Sequence, residues 1–567
     1  MQEKIWKYRD YSDSEVKIQI LTQALNISKE LAALLSARGI KDFQTAKSFF
    51  RPSINELPDP FLMLNMTKAV ELLQDTIHRK GNVLIYGDYD VDGTSSVTIL
   101  YKFLIDFSEH VSYYIPNRYT EGYGLSEQGI QFAIDNDIEL ILTLDCGIKA
   151  HEKIEKARKA GIQVIVCDHH LPDKTLPNAL ILNPKQKNCN YPFKDLAGVG
   201  VTYKLIQAYC KNEGLSAEHY LRFLDFVALG TGADLVPLVG ENRQYVFHGL
   251  EKMNTNPSSG IQSIIQVAHC KSPILMKDIG FSIGPRINAA GRIGEASRIV
   301  DLFVSGDQKL ETQLSKAISE ENLYRRELDQ SSTQEALSLL LSEEIHTNAN
   351  VVYHPEWNKG IIGIVASRLL EHSYKPTVVL TLNNGIITGS ARSVHGFNIH
   401  DAIASCSHLL QSYGGHAFAA GLTLLPENLA AFKSCFEAAC SKVSDEQKKA
   451  ILEIDLSIQL GQMHSKFFRI LWQFEPFGMN NPDPIFSSSH LKLLSSVKVM
   501  GTKHLRFKVY EEGNPDRSFD VVAFNQIDHY ERIKNCKTMT ICYTPELNHW
   551  QGRTQVQLNL KDIRFNN

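Results

Sequence analysis

The sequence predicts an α/β protein: a parallel-sheet domain joined by a long helix to a second α/β domain, with a small β-barrel at the C-terminal end. Three observations lead there. Apolar runs at 83–86, 138–144 and 162–167 are short, β-branched and unalternating, with helix-like segments at 126–133 and 150–160 between them. That is the pattern of strands buried on both faces in a βαβαβ unit. Residues 308–344 contain neither Gly nor Pro and are dense in Glu, Leu, Gln and Arg. Beyond residue 450 the pattern changes to short alternating strands separated by turn residues.

Taken in order, residues 1–60 read as a helical lead-in, with Ala24, Ile27, Leu31, Leu34 and Leu35 at helical spacing. The first α/β domain spans 61–305. A connecting helix occupies 306–345 and places Leu310, Leu314, Ala317, Tyr324 and Leu328 along one face. The second α/β domain, 346–447, carries strands at 350–353 and 377–382 and several Gly-rich loops. The last domain, 448–567, holds strands near 452–458, 491–499, 504–510, 519–523, 539–543 and 554–560, which suits a small barrel or sandwich.

Bulk composition narrows the class. A chain of 567 residues needs several cores. Hydrophobic content of 43% and charged content of 22% are those of a globular protein, and a net charge of -4 makes any nucleic-acid surface a local one. The opening residues carry no apolar signal core, and no stretch reaches the length of a membrane span, so a cytoplasmic location without membrane contact is expected. The ten cysteines form no C-x-x-C pair, which suits reduced core thiols.

Each of the three apolar runs stops on acids or histidines: Asp88, Asp90 and Asp92 after the first, Asp145 after the second, Asp168, His169 and His170 after the third. Ligands of open parallel sheets bind beyond the carboxyl ends of the strands. In an extended segment Asp88, Asp90 and Asp92 share one face. Asp234 adds a further acid from a loop, 230–238, that is rich in Gly and follows a helix expected at 219–229. So many carboxylates repel one another unless cations neutralise them. D-x-D-x-D-G also opens a calcium-binding EF-hand loop, but position twelve is Ile99 instead of Glu, and a strand precedes the motif in place of a helix. Carboxylates with imidazole favour Mn²⁺ or Mg²⁺ over zinc, and two such ions can activate water and clamp a phosphate. The chemistry implied is phosphoester hydrolysis.

These motifs resemble those of the DHH phosphoesterases, a family named for the triplet Asp168-His169-His170. Further segments resemble its RecJ branch of single-strand-specific DNA exonucleases: 116–125, containing Pro116-Asn117-Arg118, 284–292, 389–393 with Gly414-Gly415-His416, and Glu475-Pro476-Phe477-Gly478. Asn480 and Gly232 depart from the family's usual residues without touching a ligand. The resemblance implies a DHH catalytic domain, a DHHA1 substrate-binding domain and an OB-like domain, with 5′ to 3′ release of mononucleotides from single-stranded DNA in repair and recombination. It makes Asp90, Asp92, Asp145, His169 and Asp234 ligands of two Mn²⁺ or Mg²⁺ ions, with Asp145 bridging and Asp88 either among them or just behind. Asp92, Asp145, His169 and His170 become the catalytic set, with His170 at the scissile phosphate. Arg118, Arg286, Asn288, Arg292, Ser390, Arg392 and His416 become the substrate grip, with Arg118, Ser390 and Arg392 on the 5′-terminal phosphate. Partners implied are single-strand-binding protein and a helicase, and the chain is expected to be a monomer.

Without the resemblance, loop arginines are as often solvated as functional. Alternation in 504–510 sets His504, Arg506, Lys508 and Tyr510 on one face and Leu505, Phe507 and Val509 on the other, a basic face with an aromatic suited to a single strand. The competing readings are a small-substrate DHH enzyme (oligoribonuclease, cyclic-dinucleotide phosphodiesterase or pyrophosphatase) and a non-catalytic scaffold. About 120 residues beyond the second α/β domain count against the former, and retention of every ligand against the latter.

Overall fold

A computed structural model describes residues 4–342, 348–550 and 553–566. The chain divides into two compact units: Lys47–Arg325 with Phe474–Pro482, and Met1–Ala46 with Arg326–Gln473 and Asp483–Asn567.

The first unit is built on a five-stranded, wholly parallel sheet in the order Val111–Tyr114, Val83–Gly87, Leu140–Leu144, Gln163–Cys167, Leu180–Leu182. Alternate residues feed opposite cores. Val83, Ile85, Leu140, Leu142 and Ile165 join one cluster with the helices Met66–His78, Val91–Leu104 and Gly198–Asn212. Leu84, Tyr86, Ile141, Val164 and Val166 join another with Glu127–Asp135 and His151–Lys159. Burial on both faces is why these runs do not alternate in the sequence. The chain leaves Val83–Gly87 for one sheet edge and returns on its other side at Leu140–Leu144. This is a topological switch point, where a crevice opens beyond the strand ends.

The second unit holds two sheets of its own. Ser412–Gly415, Ala419–Leu424, Ile386–Arg392, Thr377–Asn383 and Asn350–Tyr353 form a mixed sheet, parallel only between the last two. Phe486–Leu493, Thr538–Trp550, Arg553–Asn566, Asn514–Ala523 and His504–Glu511 pair in a ring that closes where His504–Glu511 meets Phe486–Leu493. The last domain is therefore a barrel, and closure removes the exposed edges of those five strands.

Three expectations need correction. The N-terminal segment is not all helix, because Ile5–Tyr8 is a strand paired in parallel with Ile451–Ile454. The helix Leu224–Ala233 runs straight through Gly230 and Gly232, and Asp234 is its C-cap. Both glycines are sites of close approach: a Cβ on Gly230 would lie 3.0 Å from Asp92 Oδ1, and one on Gly232 would lie 2.9 Å from Met276. The long helix Gln308–Ser342 turns a largely polar stripe inward, including Glu311, Ser315, Ile318, Asn322, Asp329, Ser332 and Ala336, while Leu310 and Tyr324 are exposed. Partners make this possible: Ser259 donates to Glu311 at 2.6 Å, and Arg368 forms a two-pronged pair with Asp329.

The fully buried Lys204 pairs with Glu241 at 2.8 Å, and Tyr191 and Tyr245 also donate to that carboxylate. Glu241→Ala strands a buried ammonium and is expected to cost about 3–5 kcal/mol. Urea denaturation of the single variant against a Lys204→Met/Glu241→Leu double variant checks this, the double variant recovering much of the loss.

Candidate metal centre

The sheet ends and three helix termini bring the acids together. Asp88 follows the strand Val83–Gly87 directly, and its N–H donates to the Leu144 carbonyl of the neighbouring strand at 3.4 Å. Asp90 caps the helix Val91–Leu104, accepting from the Gly93 N–H at 2.9 Å. Asp92 lies in that helix's first turn. The expectation that Asp88, Asp90 and Asp92 share an extended face is thus incorrect: a turn and a helix start aim them instead. Both Asp92 oxygens accept backbone N–H groups at the start of the helix Gly198–Asn212, from Gly198 at 2.7 Å and Val199 at 2.8 Å. A carboxylate there is favoured by the helix dipole.

Asp145 leaves its strand with φ +58°, the left-handed region that costs most side chains energy. Gly198 is what admits it, since a Cβ there would lie 2.7 Å from the Asp145 side chain. His169 Nε2 lies 3.1 Å from Asp145 Oδ1 and 3.6 Å from Asp234 Oδ2. Ligand atoms of Asp88, Asp90 and Asp145 fall within 4.8 Å of one another, as do those of Asp92, His169 and Asp234, and those of Asp145, His169 and His170.

Asp168 is different in kind. Its Oδ1 accepts from the His169 N–H at 2.7 Å and the His170 N–H at 3.0 Å and meets His170 Nδ1 at 2.7 Å, while Oδ2 accepts from the Ile148 N–H at 3.0 Å. Burial alone would raise its pKa, but the His170 contact and these N–H groups outweigh it and hold the carboxyl at about 2. Asp168 is a spent acceptor that orients His170, whose Nε2 lies 3.4 Å from the Tyr123 hydroxyl. Burial lowers the His170 pKa and the Asp168 contact raises it, with a net rise.

The remaining acids are under electrostatic stress. Burial first, and then neighbouring carboxylates, push Asp88, Asp92 and Asp145 well above the ordinary aspartate range; burial and Asp234 also raise Asp90. Burial lowers His169 to about 4, so its ring is neutral and able to ligate. Asp88 Oδ1, Asp145 Oδ1, Asp234 Oδ2 and His169 Nδ1 are buried without a hydrogen-bond partner. Orphaned oxygens around a neutral imidazole fit divalent cations of the Mn²⁺ or Mg²⁺ kind.

The expected grip residues fall in both units. Arg118 lies in a turn with its guanidinium 5.2 Å over the Tyr89 ring. Arg286, Asn288 and Arg292 belong to the helix Gly284–Ile293, so the expectation of loop arginines is wrong for them; Arg286 donates to the Ser282 carbonyl at 2.7 Å. Ser390 and Arg392 share one face of the strand Ile386–Arg392, again not a loop. Arg392 donates to Ser390 Oγ at 3.1 Å and Ser367 Oγ at 3.2 Å, and burial depresses its pKa. A Cβ on Gly363 would lie 2.9 Å from its guanidinium. No carboxylate pairs with Arg392 among the described residues, so the pocket is suited to an anion. The sequence marks 358–368 as a further stretch lining this cleft without naming Gly363 or Ser367, and these are the residues in it that meet Arg392. His416 is exposed beyond the strand Ser412–Gly415. In the barrel, His504, Arg506, Lys508 and Tyr510 alternate with buried Leu505, Phe507 and Val509 as expected, though Arg506 lies 3.4 Å from Asp520.

Comparison with known proteins agrees with this layout. Residues 82–231 match the family model of the DHH family, N-terminal domain; 346–442 match the DHHA1 domain; 454–562 match the RecJ OB domain. The chain is 34% identical to the single-stranded-DNA-specific exonuclease RecJ of Bacillus subtilis (strain 168), over 96% of this chain and 69% of that protein. It is 31% identical to RecJ of Escherichia coli (strain K12), over 94% and 95%. A crystal structure of RecJ with Mn²⁺ from Thermus thermophilus superposes with a TM-score of 0.84 at 27% identity, covering 99% of this chain and 80% of that one. The Mg²⁺ form of that protein scores 0.78 at 26% identity, covering 99% and 79%.

A carboxyl whose pKa is higher folded than unfolded favours the fold while protonated and opposes it once ionised. The metal-free protein is therefore expected to lose stability as pH rises above the ordinary aspartate value of 3.8. Thermal melts in EDTA at pH 5 and pH 8 measure this loss. Asp145→Asn should shrink it and should also abolish the stabilisation by Mn²⁺, about 2.7 kcal/mol at a hundredfold excess over Kd.

Proposed function

The chain belongs to the RecJ family of single-stranded-DNA-specific exonucleases, and we propose that it removes 5′-mononucleotides from single-stranded DNA in the 5′ to 3′ direction, in repair and recombination. The observation that carries this reading is the convergence of Asp88, Asp90, Asp92, Asp145, His169 and Asp234 with unpartnered buried ligand atoms. These residues would hold two Mn²⁺ or Mg²⁺ ions. Such ions, when bound, neutralise phosphate charge and lower the pKa of water.

The protein's own groups do the rest. Gly198 and Val199 N–H groups fix Asp92, so the ligand set is preorganised before metal arrives. Asp168 fixes His170, and His170 Nε2 contacts the scissile phosphate and passes a proton to the departing 3′ oxygen. Arg118, Ser390 and Arg392 are the residues we assign to the 5′-terminal phosphate, with Ser367 beside Arg392; Arg286, Asn288, Arg292 and His416 contact the strand elsewhere. The OB barrel offers His504, Arg506, Lys508 and Tyr510 to phosphates and bases. We assign the domains as 1–60, 61–305, 306–345, 346–447 and 448–567. Single-strand-binding protein and a helicase are the proposed partners of a monomer. No helix among the described residues is long and apolar enough to cross a membrane, and the cytoplasm is the proposed location.

A 5′-labelled single strand with Mn²⁺ is expected to yield labelled mononucleotide first while a blunt duplex survives; dinucleotide products or rapid duplex loss would refute this. Arg392→Ala should erase most of the preference for a 5′-phosphate over a 5′-hydroxyl end, a loss of about 1.5–3 kcal/mol for a hydrogen-bonded charge. Competition between the two strands reads that preference directly.

A further inference from the structure

Tyr123 belongs to no ligand set and to no phosphate grip, yet its placement is specific. Its hydroxyl donates to the Asp145 backbone carbonyl at 3.2 Å and lies 3.4 Å from His170 Nε2. The residue is nevertheless 57% exposed. The tip of the ring is anchored at the acid cluster while much of the ring stays open to solvent. Gly122 and Gly124 flank it with φ of +89° and +72°, a left-handed backbone on both sides that projects this one side chain from the loop.

The ring is also braced. Tyr89, between Asp88 and Asp90, meets it edge to face with centroids 6.3 Å apart and planes at 85°. Tyr89 in turn carries the Arg118 guanidinium over its own ring. Tyr123 also meets the His170 ring, with centroids 6.1 Å apart. A continuous array thus runs from a guanidinium, across two aromatic rings, to the imidazole beside the acid cluster. A nucleotide in a strand presents the same order of chemistry: phosphate, base, next phosphate.

We infer that Tyr123, backed by Tyr89, is the platform on which the base of the nucleotide being removed stacks. The inference rests on the proposed exonuclease activity and deepens it. Stacking on an aromatic accepts any base, because every base has a π-face, so the platform would position the strand without selecting sequence. Anchoring the hydroxyl to Asp145 fixes the height of that base relative to the cluster, as productive geometry requires. Tyr123 would thereby touch substrate directly.

The experiment uses the full chain with Mn²⁺ and two 5′-phosphorylated single strands, one with an ordinary 5′-terminal nucleotide and one whose terminal residue is an abasic tetrahydrofuran. The unsubstituted protein is expected to turn over the abasic strand about tenfold more slowly, the order that base stacking on an aromatic contributes. Tyr123→Ala should slow the ordinary strand by a similar factor and no longer distinguish the two. Tyr123→Phe, which keeps the ring, should retain the discrimination even if its rate falls. If Tyr123→Ala slows both strands equally, the ring does not meet the base and the inference is overturned, with the exonuclease activity left standing. If the unsubstituted protein cleaves neither strand, the activity itself is refuted and the inference falls with it.

Discussion

Mutual repulsion among buried carboxylates is the constraint on which the catalytic unit is built. Asp88, Asp92 and Asp145 are almost wholly removed from water, close to one another, and burial and charge together drive each pKa upward. Such a cluster is tolerable only because the rest of the unit over-determines it. Parallel strands fix where two of the acids emerge, helix starts supply N–H groups to two, and the glycines at 198 and 230 let the helices come close enough to do so. Asp88, Asp145 and Asp234 each leave a buried oxygen there without a hydrogen-bond partner, and cations would relieve the stress.

Asp168 shows how the same sheet edge produces an acid of opposite character. It is as buried as its neighbours, but it spends both oxygens on N–H groups and the His170 ring, and its pKa falls to about 2 instead of rising. One carboxylate is satisfied and orients an imidazole, while Asp88, Asp145 and Asp234 each keep a buried oxygen without a hydrogen-bond partner. Division of labour among identical side chains comes from hydrogen-bond supply. Arg392 repeats the logic with the opposite charge, being held by hydroxyls with no carboxylate partner among the described residues and so left with capacity for an anion.

The strands of the catalytic sheet were legible because burial on both faces removes alternation from them, and a run such as 138–144 has no other simple reading. Their charged ends were legible for the same reason, since a parallel sheet places its site beyond those ends. The edge strands Val111–Tyr114 and Leu180–Leu182 were harder to see, being short and partly exposed. The inward face of the long helix was misread because Glu311 and Asp329 are buried by virtue of partners far away in sequence, which periodicity of apolar residues cannot register. Gly230 and Gly232 were misread as loop residues because glycine signals flexibility locally, whereas here it permits contact.

By itself the sequence determined the succession of domains, the acids and histidines available for metal, and, through motif resemblance, the family. Those are properties of residue identity and spacing along the chain. Tertiary structure alone decided which acid is satisfied and which is not, that Asp92 rests on a helix start a hundred residues away, and that Tyr123 is pinned at its tip yet exposed. These depend on distances between segments remote in sequence, and on the water those segments exclude, so no local pattern encodes them.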